Sequence, residues 1–211
     1  MDEISIIKSD ALLWKDFMLG NNDAYKVIYN SYVQPLFRYG CHFTHDRDLV
    51  KDCIQDVFID LQNYRKGLAP TDNIRLYLFK SLKYKIVNTL IRVKRFSGNN
   101  QEEPSFLYTV SFEDEIVANE TENQLRERLR RAFSKLSHRQ KEALYLKFVS
   151  ELSYAEIGKM LHVNYQSARN LIFRSLEKLR ESHRNILVVL FLKIVNLLGN
   201  EESEQIIENF L

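Results

Sequence analysis

At 211 residues the chain is long enough for one large domain or two small ones. Six Gly, three Pro and many Leu, Lys, Arg, Glu and Ile favour an all-helical protein; two cysteines, Cys41 and Cys53, exclude a disulfide framework and fit a reduced, cytoplasmic setting. The net charge of +2 hides a segregation: residues 1–100 carry +4, 101–124 carry −7, 125–184 carry +8 and 185–211 carry −3, so two basic blocks flank an acidic connector and both are suited to a polyanion.

The N-terminal MDEISIIKSDALLWKD has no basic segment followed by an apolar core, so no secretory signal is expected. A short helix is predicted over 10–19, ended by the turn signal Gly20-Asn21-Asn22. Asp23 is expected to cap a second helix running to about Phe43, with Tyr25, Ile28, Tyr29, Tyr32, Val33, Leu36 and Phe37 as its apolar side and a kink at Pro35. Over 46–64, Leu49, Cys53, Val57 and Leu61 recur every four residues, reinforced by Val50, Ile54 and Phe58. The opposite face carries Lys51, Asp52, Gln55, Asp56 and Asp60. RKGLAPTDN (65–73) reads as a loop, with Asp72 or Asn73 capping a long helix over 74–96 that ends in Arg92, Lys94 and Arg95.

Residues 97–123 are polar and acidic, with a weak apolar patch at Phe106-Leu107-Tyr108, and read as an interdomain linker. A basic helix over 124–136 opens the second module. Ser137 with Gln140 and Ser153 with Glu156 are capping boxes, which start helices over 139–148 and from 153 on. Ile157, Met160 and Leu161 form the latter's stripe, and Gly158 leaves room for a close backbone approach. His162 and Val163 connect to a helix capped by Asn164, whose buried phase is Ala168, Leu171 or Ile172, Leu176 and Leu179. Gln166, Arg169, Asn170 and Arg174 lie between those positions. Such donor-rich side chains read base edges and grip phosphates, so 153–180 has the make-up of a helix-turn-helix. The tail from 185 is apolar nearly all round in its first half and is expected to be a helix buried against protein. Its longest apolar run, 186–198, is broken by Lys193 and Asn196 and falls short of the ~20 residues that cross a bilayer, so no membrane insertion is expected.

Taken together, the two modules resemble the extracytoplasmic-function group of sigma-70-type transcription initiation factors, over nearly all of 10–184. DLVKDCIQDVFIDL (48–61) is similar to that family's acidic polymerase-binding helix, and LYLFKSLKYKIVNTLIRVKR (76–95) to its promoter-melting helix. LSHRQKEALYLKF, SYAEIGKML and NYQSARNLIFRSLEKLR are similar to its region 4. The resemblance implies an all-α fold of two helical domains, a region 2-like domain over 1–96 and a region 4-like domain over 124–184, joined by the acidic linker 97–123 and followed by the tail 185–211. It implies that Asp52, Gln55 and Asp56 meet core RNA polymerase. Arg65, Lys66, Asn73, Tyr77, Lys80, Asn88, Arg92, Lys94 and Arg95 would then open the −10 element, with Phe79, Lys83 and Tyr84 among the aromatic and cationic side chains of the same helix and the loop 65–73 standing where the family captures a base. Tyr165, Gln166, Ser167, Arg169, Asn170 and Arg174 would read the −35 element. The implied partners are core polymerase, promoter DNA and an anti-sigma factor, with no cofactor, metal or catalytic step. Ser137 stands where the family commonly has proline. Gly158 and Ala168 stand where Ala and Val are usual, which would loosen the hairpin.

Two other readings compete. A free-standing regulator could use the same helix-turn-helix on an operator, with 1–96 as a sensor. The run CHFTHDRD (41–48) with Cys53 could be imagined as a metal-dependent hydrolase site, but the second ligand pair that zinc sites show is missing.

Overall fold

The computed structural model describes residues 9–96, 104–107 and 130–182, and the regular elements among them are all helical. Expectations for the linker carboxylates, for most of the helix over 124–136 and for the tail 185–211 lie outside these residues. The chain divides into two compact units between Pro104 and Ser105.

The first unit is built from α1 (Asp10–Met18), α2 (Asn22–Gly40), α3 (Arg47–Tyr64) and α4 (Ile74–Phe96). The cap of α2 is Asn21 rather than Asp23, its side chain accepting from the amides of Asp23 and Ala24. The helix continues through Pro35 and stops at Gly40, short of Phe43. Gly40 is required there by packing, since a methyl group would lie 2.6 Å from Val50 and 3.0 Å from Ile86, where α2, α3 and α4 meet. Asp46 caps α3 through the amides of Asp48 and Leu49. The four-residue repeat of α3 is buried as expected at Cys53, Val57 and Leu61, together with Val50, Ile54 and Phe58. These pack with Trp14, Ile28, Leu36, Tyr39, Leu78, Phe79, Leu82 and Ile86 into one core, each side chain contributing ~1.5–3 kcal/mol of burial. Of the apolar side foreseen for α2, Tyr29 is exposed and helps line an open groove, while Ala24 and Tyr39 are buried instead.

The second unit contains a helical segment over 130–134, α5 (His138–Phe148), α6 (Tyr154–Leu161) and α7 (Tyr165–Ser182). Both capping boxes are present, at Ser137–Gln140 and Ser153–Glu156. The buried phase of α7 takes Ile172, not Leu171, and adds Ser175, whose hydroxyl donates to the Leu171 carbonyl at 2.6 Å. Phe106, from the segment expected to be linker, is 2% exposed and packs its ring 5.6 Å from that of Tyr145. The Phe106 carbonyl lies 2.8 Å from His138 Nδ1. This piece of the connector is therefore part of the second unit's core.

Candidate nucleic-acid interface

The hairpin of α6 and α7 is set by its turn. His162 adopts the left-handed conformation at the end of α6, φ 53°, and the Val163 amide closes back on the Gly158 carbonyl at 2.9 Å. A methyl group at Gly158 would sit 2.7 Å from the Val163 carbonyl oxygen, so this glycine tightens the hairpin where the sequence suggested loosening. Asn164 accepts from the Ser167 amide at 2.7 Å and starts α7. Two braces fix the pair. Arg139 of α5 donates to the last carbonyl of α6, Leu161, at 2.6 Å, a cation placed at the negative end of a helix dipole. Lys178 of α7 donates to Gln140 of α5 at 3.3 Å. At the other end the rings of Tyr154 and Tyr165 meet edge-on at 5.9 Å, and Lys147 stands over the Tyr154 ring at 4.9 Å.

This bracing presents one face of α7 to solvent. Tyr165, Gln166, Ser167, Arg169, Asn170 and Arg174 are all exposed. Gln166 donates to Asn170 one turn on, at 3.1 Å, so the two amides act as a joined donor–acceptor edge. Arg169 and Asn170 also border a groove of about 630 Å³ shared with Lys147, Phe148, Tyr154 and the exposed Phe173. Phe173 is absent from the sequence-derived set, because at helical spacing an aromatic residue reads as core.

In the first unit Lys80, Tyr84, Asn88 and Arg92 recur every four residues on α4, all exposed, and Arg95 extends the stripe. Tyr84, 71% exposed, is a free aromatic face among these cations. Tyr77 belongs to that set, but its ring packs edge-on against Trp14 at 5.0 Å; burial raises the pKa of its hydroxyl, against a hydrogen bond with Ser81. Lys94 is half-buried. The loop before α4 begins with a single 3-10 turn, Arg65–Gly67, exposing Lys66. Its end is fixed by Asn73, which accepts from the Leu76 amide at 2.7 Å, and by Asp10 of α1, which accepts from the Ile74 amide at 2.9 Å.

On α3, Asp52, Gln55 and Asp56 form one exposed face. Lys85 of α4 reaches Asp56 at 3.5 Å and Asp60 at 2.8 Å. Partial burial works against the charged Lys85 ammonium, but the bond to Asp60 and the two carboxylates more than offset it and raise its pKa. Gln55 borders a groove of about 660 Å³ between α2 and α3, lined by Tyr29, Phe37, Phe58 and Ile59 with Arg47 and Lys51 at its edge. The side chains imagined as metal ligands have other tasks. Asp46 caps α3, the Cys53 thiol faces Thr89, and burial pulls His42 down to about 4. Among the described residues no three His, Cys, Asp or Glu side chains come together to hold a metal ion, and no helix is long and apolar enough to cross a membrane.

The family described as sigma-70, region 4 matches residues 126–179, which span the helix-turn-helix. The chain is 24% identical over 164 residues to the RNA polymerase sigma factor YlaC of Bacillus subtilis, covering 77% of this chain and 93% of that protein. It is 20% identical over 157 residues to the ECF RNA polymerase sigma factor SigM of the same organism, covering 72% and 91%. The fold is similar to that of the sigma factor RpoE of Bartonella quintana, solved in complex with the anti-sigma factor NepR. There the TM-score is 0.53 at 16% identity, over 75% of this chain and 95% of that one. Residues 126–179 thus match sigma-70 region 4, and over about three quarters of its length the chain is similar to sigma factors, one of them of the extracytoplasmic-function group. These likenesses favour an initiation factor over a free-standing regulator.

Proposed function

We propose that the protein docks on core RNA polymerase through the first unit and directs it to promoters with both units, by assembly and without catalysis of its own. The observation that carries this reading is that each unit exposes a basic, hydrogen-bonding helix face on a braced scaffold: α7 in the second unit and the Lys80–Tyr84–Asn88–Arg92 stripe in the first. The α7 face suits the major groove of a −35 element, where Arg169 and the coupled Gln166–Asn170 pair reach base edges and Arg174 and Ser167 grip phosphates. The α4 stripe suits a single strand, with cations tracking phosphates and Tyr84 stacking a base, while the loop 65–73 receives an unstacked −10 base. Asp52, Gln55 and Asp56, beside the apolar groove of α2 and α3, suit a basic helical surface on the polymerase.

The Bartonella quintana neighbour is bound by an anti-sigma factor, and we assign this chain the same class of partner in a bacterial cytoplasm. Run-off transcription with core polymerase on a library of genomic fragments tests the reading. Discrete transcripts that depend on the added chain are expected. A chain that shifts DNA by itself but neither binds core polymerase nor yields transcripts would sink it.

A further inference from the structure

The loop 65–73 is fastened from one side by α1, an element outside the predicted DNA and polymerase contacts. Trp14, 1% exposed, donates its indole Nε1–H to the Ala69 carbonyl at 3.0 Å across 55 residues of sequence. The same ring meets Tyr77, on the first turn of α4, at 5.0 Å. Asp10 accepts from the Ile74 amide, so the long melting helix has one of its first amides satisfied by a residue 64 positions away. Where α1 ends, Gly20 at φ +94° brings the backbone against Arg65, whose guanidinium lies 3.4 Å from where a side chain at Gly20 would begin. Two hydrogen bonds thus hold the loop in its middle and just past its end, and its first residue lies beside the end of α1. Its outer side chains, Lys66, Ala69, Pro70 and Asp72, stay exposed.

Ordering each residue of the loop costs ~1–2 kcal/mol of backbone entropy, and one indole hydrogen bond returns only ~0.5–1.5 kcal/mol of it. Preorganisation does help a site that must receive an extruded base, since the ordering is then complete before the base arrives. We propose that α1 is a positioning element for promoter opening, in which Trp14 and Asp10 hold the 65–73 loop in the conformation that receives the unstacked base. This rests on the reading of the loop as the base-receiving segment.

The test uses the full chain with core polymerase on a promoter fragment recovered by run-off transcription, and on the same fragment carrying one abasic residue at each non-template −10 position in turn. Open complex is read from permanganate reactivity of thymines, and closed complex from retention at low temperature. Trp14→Phe keeps an aromatic ring but removes the indole N–H together with the pyrrole ring that carries it. It should lower the open fraction on the intact promoter at least about fivefold, the worth of one neutral hydrogen bond, with polymerase affinity and closed-complex retention unchanged. On the template lacking the received base, Trp14→Phe and the wild type should open equally. Asp10→Ala, which leaves the aromatic packing untouched, should show the same pattern. A loss of equal size on every template, the abasic one included, would make α1 a purely structural brace and overturn the proposal, as would no loss at all. The underlying reading is tested separately by Lys66→Ala with Asp72→Ala on the loop's outer side. Wild-type opening by that variant would remove the loop from DNA contact whatever Trp14 does.

Discussion

Phe79 and Tyr84 stand five residues apart on α4, and both are aromatic side chains of a basic helix. Phe79 is 1% exposed and belongs to the core; Tyr84 is 71% exposed and has water on its face. Base stacking on an aromatic side chain is worth ~1–3 kcal/mol by alanine substitution, so Tyr84→Ala should reduce open complex on a duplex promoter about tenfold or more and leave polymerase affinity unchanged. Permanganate footprinting and a polymerase titration separate the two. On α7, Arg169→Ala should cost about 1–3 kcal/mol at one base position if the side chain reads that base, and less with no sequence dependence if it grips phosphate. Binding to a set of single-base −35 variants distinguishes these outcomes.

His42 carries a different kind of residue-scale consequence. Burial lowers its pKa from 6.5 to about 4, so between those values the unfolded chain binds more protons than the folded one. Stability from this group is complete above pH 6.5 and is lost as pH falls towards 4, by at most roughly 3 kcal/mol. Urea unfolding at pH 7.5 and pH 5 should show that loss in the wild type and a smaller one in His42→Gln.

At the scale of elements, the helix-turn-helix depends on a backbone contact that only one residue permits. Gly158→Ala would drive a methyl group into the Val163 carbonyl, 2.7 Å away, and backbone cannot move aside as a flexible side chain can. The expected cost is about 1–3 kcal/mol of second-unit stability together with weaker promoter binding, read by thermal unfolding and a DNA titration. Ala168→Val tests the other departure from the family pattern; that position is fully buried, so overpacking in the same range is expected.

Elements were also where the sequence was most readable. Both capping boxes, the turn at His162–Val163 and the four-residue repeat of α3 are local patterns, and the structure carries all of them. What escaped is non-local. Nothing around Asp10 marks it as the cap of a helix that starts at Ile74, and nothing around Trp14 points to Ala69. The exposed Phe173 escaped for the opposite reason: an aromatic residue at helical spacing is counted as core, and only the fold shows which of two neighbouring phases faces water. The candidate DNA side chains were legible by type and spacing; the bracing behind them was not.

For the whole molecule, the placement of Phe106 redefines where the second unit begins. Phe106 lies in the segment whose composition reads as linker, yet it is seated on Tyr145 and His138 and is almost fully buried. Burying one phenylalanine contributes roughly 1.5–3 kcal/mol, so Phe106→Ala should lower the unfolding temperature of the second unit, read by thermal unfolding of the full chain. A stretch that composition alone would hand to the solvent thus supplies one of the rings on which the second unit is built.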